Sequence, residues 1–182
     1  MESSIKTRYL YKFFATIISL VIGLATQAII PRGLGPKAFG DFNFLTNFFT
    51  QVVGFLDMGT SIGFYTKICQ RQKEFALISF YTLFAAAASL AIIIFVAASA
   101  STSVHHILWP DQRALYIYLA AFWGILTFGT QILNKIGDAY ALTVPVEKVR
   151  VAQKVVGLGA IFALFMSSRL NLTNFFFTTI WY

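Results

Sequence analysis

Five long apolar stretches separated by short polar loops dominate this sequence, and a sixth begins near its last residue. They cover residues 10–30, 42–65, 75–98, 114–134 and 151–168, and the sixth covers 175–182. An α-helix rises about 1.5 Å per residue, so roughly 20 residues cross the ~30 Å hydrocarbon core of a bilayer. Only 12% of the residues are charged, against roughly 25% in soluble domains. The pattern predicts an all-α integral membrane protein, because spanning helices satisfy their own backbone hydrogen bonds.

The distribution of lysine and arginine predicts the orientation of these spans. Ten of the 14 basic residues fall on one side: Lys6, Arg8, Lys12, Lys67, Arg71, Lys73, Lys135, Lys148, Arg150 and Lys154. The other side carries four: Arg32, Lys37, Arg113 and Arg169. Because cytoplasmic loops carry the excess of basic residues, we expect a multi-pass membrane protein with its N-terminus in the cytoplasm.

The sequence offers little for catalysis, metals or cofactors. Cys69 is the one cysteine, so no intramolecular disulfide forms, and we interpret it as an incidental thiol. His105 and His106 have no carboxylate or cysteine at ligand spacing, so we expect no metal site. There is also no phosphate-binding loop and no nucleophile with a nearby base. We therefore expect no enzyme activity and no cofactor, with ion-gradient coupling as an open alternative.

Two proline-containing segments mark the predicted ends of helices. Pro31 to Pro36 contains two prolines and two glycines, and we expect it to end the first helix in a tight outer turn. The segment from Leu142 to Val146 contains Pro145, and we expect it to link the fourth span to the fifth.

Polar and small residues recur along one face of three spans. Steps of three and four residues place them on the same helical face. Span one carries Lys12, Thr16, Ser19, Gly23 and Thr26, with Gln27 beside them; span two carries Asn43, Asn47, Thr50, Gly54, Asp57 and Ser61; span four carries Gly124, Thr127, Gln131, Asn134 and Asp138. Such faces line either a helix-bundle interior or a wet cavity. Small residues also mediate helix packing in membranes, as the pair Gly59 and Gly63 illustrates.

Asp57 is the acidic residue that lies deepest in an apolar stretch. A charged aspartate at the centre of a membrane helix costs about 2.5–3.5 kcal/mol, so it must be protonated, paired or in contact with water. Two interpretations fit and are compatible. Asp57 is either a proton- or cation-responsive group in a transport pathway, or a carboxylate that caps a broken helix near Gly54, Gly59 and Gly63.

Residues 31–66 carry a family resemblance. The run Pro31-Arg-Gly-Leu-Gly-Pro-Lys-Ala-Phe-Gly40, then Phe42-Asn-Phe44 and Gly54-Phe-Leu-Asp-Met-Gly-Thr-Ser61, resembles the polysaccharide repeat-unit (O-antigen, Wzx-type) flippases. These belong to the multidrug/oligosaccharidyl-lipid/polysaccharide exporter superfamily. Gly137 to Thr143 also fits the position after span four in this family, and the spans match in order along the whole chain.

The resemblance implies a fold, a substrate and a set of site residues. Residues 1–182 would form most of one six-helix lobe of a transporter with alternating access, and we expect the sequence to be an N-terminal fragment. The substrate would be an undecaprenyl-diphosphate-linked oligosaccharide for surface polysaccharide and lipopolysaccharide synthesis, with polymerase and chain-length regulator as assembly partners. Asp57 matches the family's acid in span two and is the ion-coupling candidate. The substrate-pathway candidates are Lys12, Gln27, Arg32, Asn43, Asn47, Gln51, Gln131 and Asn134.

The sequence is also compatible with three other functions. A drug/cation antiporter of the same superfamily would share the fold. A membrane-embedded polymerase or transferase would carry a large outer loop or paired acids, whereas the longest outer loop, 99–113, offers only Asp111 and the two histidines. A structural membrane subunit is the remaining alternative.

Overall fold

The computed structural model describes residues 5–71, 75–100, 107–167 and 170–181, and the regular structure in these ranges is α-helical. The helices are α1 (Ile5–Asp57), α2 (Thr60–Gln70), α3 (Phe75–Ala100), α4 (Ala114–Ala139), α5 (Thr143–Met166) and α6 (Leu172–Trp181). Four of these six are long and apolar enough to cross a membrane: α1 from Tyr9, α3 to Ser99, α4 and α5. The prediction of an all-α chain with several helices long and apolar enough to span a membrane is therefore confirmed.

Helix α1 is interrupted at a single residue, Gly35, which has φ 78° and ψ 164°. This backbone conformation is essentially restricted to glycine. Pro36 follows the break, where its fixed φ and missing N–H suit the start of a helical segment. Pro31 remains inside the helix. The prediction that the turn occupies the whole of 31–36 is therefore wrong, because only Gly35 leaves helical geometry. The helical segments on either side are about 45 Å and 33 Å long, and each is sufficient for one crossing.

A second break separates α1 from α2. Met58 and Gly59 adopt left-handed φ values of 39° and 81°, and α2 begins at Thr60. The predicted continuous span over 42–65 is therefore two helices. Glycine adopts this conformation without steric cost, whereas a methionine does so only where its surroundings impose it.

The chain forms two compact units, of which the second comprises residues 41–140. In this unit α4 runs parallel to the second part of α1. The Gln112 side-chain amide donates to the Asp41 carboxylate across 2.8 Å at one end, and farther along a Cβ on Gly124 would lie 3.1 Å from the Phe49 Cβ. Helix α3 runs antiparallel to both, because its start meets Asp57 and its end meets Trp109.

Trp109 closes one end of this unit. Its indole is buried, and its ring lies 5.5 Å from Phe48, 6.3 Å from Phe49 and 6.1 Å from Phe95, measured between ring centroids. Aromatic pairs at such separations add to the stability gained from burial. Rings from α1 and α3 thus converge on the segment that leads into α4.

The first unit comprises residues 1–40 and 141–182. Helix α5 runs parallel to the first part of α1, because Lys148 lies over the Tyr11 ring while Gly33 approaches Phe165 and Leu170. Helix α6 then packs back on α5. The prediction that 142–146 is a linker is wrong: α5 begins at Thr143, and Pro145 lies in its first turn, where no intrahelical donor is lost.

Large apolar side chains cover the outside of these helices. Leu24, Leu83 and Val156 are 64%, 71% and 71% exposed, and only 11–33% of each apolar window is buried. Exposed apolar surface on this scale marks an interaction site or a membrane-embedded surface.

Candidate functional site

The Asp57 carboxylate is the centre of a hydrogen-bond cluster at the break between α1 and α2. Its Oδ1 accepts bonds from the Ser61 backbone N–H at 3.1 Å and from the Tyr81 hydroxyl at 3.1 Å. Its Oδ2 accepts the Ser61 hydroxyl at 2.6 Å. The Thr60 hydroxyl contacts Oδ1 at 3.3 Å and also bonds to the Asp57 carbonyl oxygen. Donors from α2 and α3 therefore converge on one carboxylate.

This arrangement follows from the way helices end. The first N–H groups of α2 have no partner within the helix, and a carboxylate before the first turn satisfies them and interacts favourably with the helix dipole. Asp57 reaches Ser61 because Met58 and Gly59 turn the backbone between them. The structure thus places Asp57 as a helix-capping carboxylate, and its role in ion coupling stays a prediction.

Tyr81 is a member of this cluster that the sequence did not single out. Its side chain is 3% exposed, and its ring stacks on Phe64 with centroids 4.2 Å apart and an interplanar angle of 6°. The stacking holds the hydroxyl against Asp57. The one signal in the sequence was a tyrosine in the first two turns of an otherwise apolar span, but sequence alone does not indicate which acid it meets.

The polar face of α1 within the second unit is open. Asn47, Thr50 and Gly54 are exposed, and Asn43 is half-buried. The packed side of the same helix consists of Leu45, Thr46, Phe49 and Val53, all buried. Open space also surrounds the Gly54, Gly59 and Gly63 Cα atoms, whereas Gly124 packs directly on Phe49. Among these four glycines, Gly124 is therefore the one that packs against a neighbouring helix.

Hydroxyls and amides on this face differ in how they are satisfied. Thr50 donates to the Thr46 carbonyl at 2.8 Å, so its hydroxyl is satisfied within the helix. The exposed Asn47 and Gln51 amides make no side-chain hydrogen bond within the part of the chain that the structure describes. An amide placed in hydrocarbon without a partner costs several kcal/mol. These two side chains therefore require water, a ligand or another polar chain.

The other candidates lie on separate elements. Gln131 is exposed and Asn134 half-buried on α4, and no hydrogen bond joins them to Asn47 or Gln51. Lys12, Gln27 and Arg32 belong to the first unit and are exposed along α1. Within the second unit, the structure thus shows a polar face on α1 that no hydrogen bond joins to Gln131 or Asn134.

Glu147 is a buried acid that directly follows the linker predicted over 142–146. It is 5% exposed in the first turns of α5, and its Oε1 lies 2.6 Å from Arg150 Nη1. Removing the half-buried Arg150 would be costly because it leaves the buried Glu147 carboxylate without its partner. The spacing Glu-x-x-Arg would have indicated this pair had 143–150 been recognised as helical.

No cluster of three His, Cys, Asp or Glu side chains suited to a metal occurs among the described residues. His105 and His106, on which the sequence prediction about metal binding depends, lie outside them. Cys69 is a free, exposed thiol near the end of α2.

Comparisons of the chain with protein-family models, with curated proteins and with solved structures found no match. The resemblance to the exporter superfamily therefore depends on the order of the spans and on sequence motifs that lie mainly in residues 31–66.

Proposed function

We propose that this chain is part of a membrane exporter that moves a lipid-linked oligosaccharide across the bacterial inner membrane by alternating access. In this proposal its helices build most of one six-helix lobe, and the polar face of α1 borders the substrate pathway. The single observation that carries the proposal is the pair of exposed amides, Asn47 and Gln51, that have no hydrogen-bond partner among the described residues of a long apolar helix and its neighbours.

The chemistry of these amides suits a sugar. Each carboxamide offers two donors and an acceptor, the complement of neighbouring sugar hydroxyls. The apolar surfaces of the same helices suit the polyprenyl chain, which stays in the lipid while the sugar moves through the protein. Ion coupling would act at Asp57, where binding of a proton or cation competes with the donors from α2 and α3.

Cysteine accessibility tests the watery pathway directly. The natural cysteine is first removed with Cys69→Ser, and single cysteines are then placed at Asn47 and Gln51 in the protein expressed from its natural gene. We expect both to react with a membrane-impermeant maleimide at least about tenfold faster than a cysteine at Leu83, since thiols in hydrocarbon do not ionise.

Two controls define the baseline. Leu83 is exposed like the test positions but lies on an apolar face of α3, and Leu45 is fully buried in the same helix as Asn47. If cysteines at Asn47 and Gln51 react no faster than those at Leu83 and Leu45, the pathway does not run along this face.

Complementation identifies the substrate class. In a host that lacks its repeat-unit flippase, we expect the wild-type protein to restore surface polysaccharide without changing drug accumulation. Restored drug efflux with no surface polysaccharide would instead identify a drug/cation antiporter.

A further inference from the structure

The second turns of α1 and α5 lie side by side at one end of the first unit. The Lys148 ammonium nitrogen is 5.6 Å from the centroid of the Tyr11 ring, within the range of a cation–π contact. Because the two helices are parallel, both also present their N-terminal ends here, where the helix dipole favours anions.

The charge at this end is strongly positive. Lys6 and Lys12 on α1 and Lys148 on α5 are exposed, and Lys154 is half-buried one turn beyond Arg150. Glu147 is the one acidic residue among the described parts of this unit, and its carboxylate is already paired with Arg150. This end of the unit therefore carries a net positive charge.

The position of these lysines matches the level of lipid headgroups. The apolar stretches of α1 and α5 cover residues 10–30 and 151–168, so Lys12 and Lys148 lie near the N-terminal ends of these stretches. Tyr9 and Tyr11 are both exposed beside the lysines, as tyrosines are at membrane–water interfaces. A cationic group at this depth meets the phosphate layer of the leaflet.

We propose that Lys148, which lies over the Tyr11 ring, and Lys12, the next residue after Tyr11, bind the phosphate of an anionic phospholipid headgroup. The Tyr11 ring contacts the Lys148 ammonium, which retains N–H donors for phosphate oxygens. Lys6 adds longer-range attraction to the leaflet. Lys12 is also one of the substrate-pathway candidates, but lipid binding at this site needs neither Asn47 nor Asp57 and is measured separately from transport.

Lipid binding by the purified natural protein tests the proposal. Phosphatidylglycerol is titrated into the detergent-solubilised protein, and bound lipid is counted by native mass spectrometry, with phosphatidylcholine in a parallel titration. We expect the double variant Lys12→Gln/Lys148→Gln to bind phosphatidylglycerol about 25-fold more weakly, at roughly fivefold per cation. Lys12→Arg/Lys148→Arg should retain binding.

The matched control is Arg32→Gln/Lys37→Gln, which removes two exposed cations from the same unit about 20 residues or more along α1. We expect it to change the affinity less than about threefold. Tyr11→Leu, which leaves every charge in place, should weaken binding about threefold to fivefold by releasing Lys148.

Equal losses in the two double variants would overturn the proposal, because they would show attraction by net charge alone. Equal binding of phosphatidylcholine, or displacement of the lipid by millimolar inorganic phosphate, would also overturn it.

Discussion

The Tyr81 hydroxyl donates a hydrogen bond to the Asp57 carboxylate at 3.1 Å, and this bond joins the start of α3 to the end of α1. The same carboxylate accepts the Ser61 N–H and hydroxyl from the first turn of α2. One side chain therefore fixes three helix ends at the Met58–Gly59 break. Removing any donor should loosen one of these connections while leaving the others in place.

Tyr81→Phe removes the hydroxyl and preserves the ring that stacks on Phe64. We expect a loss of about 1 kcal/mol in the free energy of unfolding, the scale of one hydrogen bond in a membrane protein. Unfolding of the purified protein in mixed micelles with increasing SDS, followed by circular dichroism, measures this change.

Thr82→Val is the control for this experiment, because Thr82 is exposed on the same helix and its hydroxyl bonds to its own backbone at Ile78. We expect a change below about 0.5 kcal/mol. An equal effect of the two substitutions would show that the Tyr81–Asp57 bond does not stabilise the fold.

Asp57→Asn and Ser61→Ala separate charge from capping at this break. Asparagine keeps an acceptor for the Ser61 N–H but loses the charge, whereas Ser61→Ala keeps the charge and removes the 2.6 Å bond. If Asp57 couples transport to an ion, Asp57→Asn should abolish the dependence of surface-polysaccharide complementation on the ion gradient, and Ser61→Ala should only destabilise the protein by about 1 kcal/mol. Full gradient-dependent complementation by Asp57→Asn would assign Asp57 a structural role alone.

The positions of the long helices could be predicted well, because a run of about 20 apolar residues indicates a membrane helix whatever contacts its individual side chains make. The third span was expected over 75–98 and is observed as Phe75–Ala100, and the fourth was expected over 114–134 and extends to Ala139. Boundaries near prolines were less accurate. Pro145 was interpreted as a break, but a proline in the first turn costs no hydrogen bond, so α5 begins at Thr143 rather than at the predicted Val151.

Side-chain partners were harder to predict than helices. Asp57 could be identified from the sequence because a charged aspartate within a membrane helix is costly, and helix capping was one of the two roles expected for it. It did not identify Tyr81, because the partner lies 24 residues away and depends on how α3 packs. Glu147 was missed for a related reason: its burial becomes apparent only when 143–150 is helical.

Gly35→Ala tests the break inside α1. At φ 78° and ψ 164°, an alanine is strained whatever the space around it, and no atom lies within 4 Å of the point that its Cβ would occupy. We expect a loss of about 1–3 kcal/mol in the free energy of unfolding. Gly40→Ala, at a helical position with similar open space, should instead be neutral or stabilise by up to about 1 kcal/mol. Equal effects would argue against a special backbone at Gly35.

Gly124→Leu tests the contact between α4 and α1. A Cβ at Gly124 would lie 3.1 Å from the Phe49 Cβ, so even alanine requires a small displacement and leucine a larger one. We expect about 1 kcal/mol of destabilisation for alanine and about 3 kcal/mol for leucine, as in overpacked cores. Gly129→Ala, which meets open space on the same helix, should have little effect.

Combining Gly124→Leu with Phe49→Ala makes this test specific to the pair. Phe49 is fully buried, so Phe49→Ala alone should cost about 3–5 kcal/mol by leaving a cavity. Leucine at position 124 would point into that cavity. The double variant should therefore lose less free energy of unfolding than the two single variants together, by at least about 1 kcal/mol. SDS unfolding of the wild type, both single variants and the double variant gives this coupling energy. Strict additivity would mean that α4 and α1 do not meet at Gly124 and Phe49.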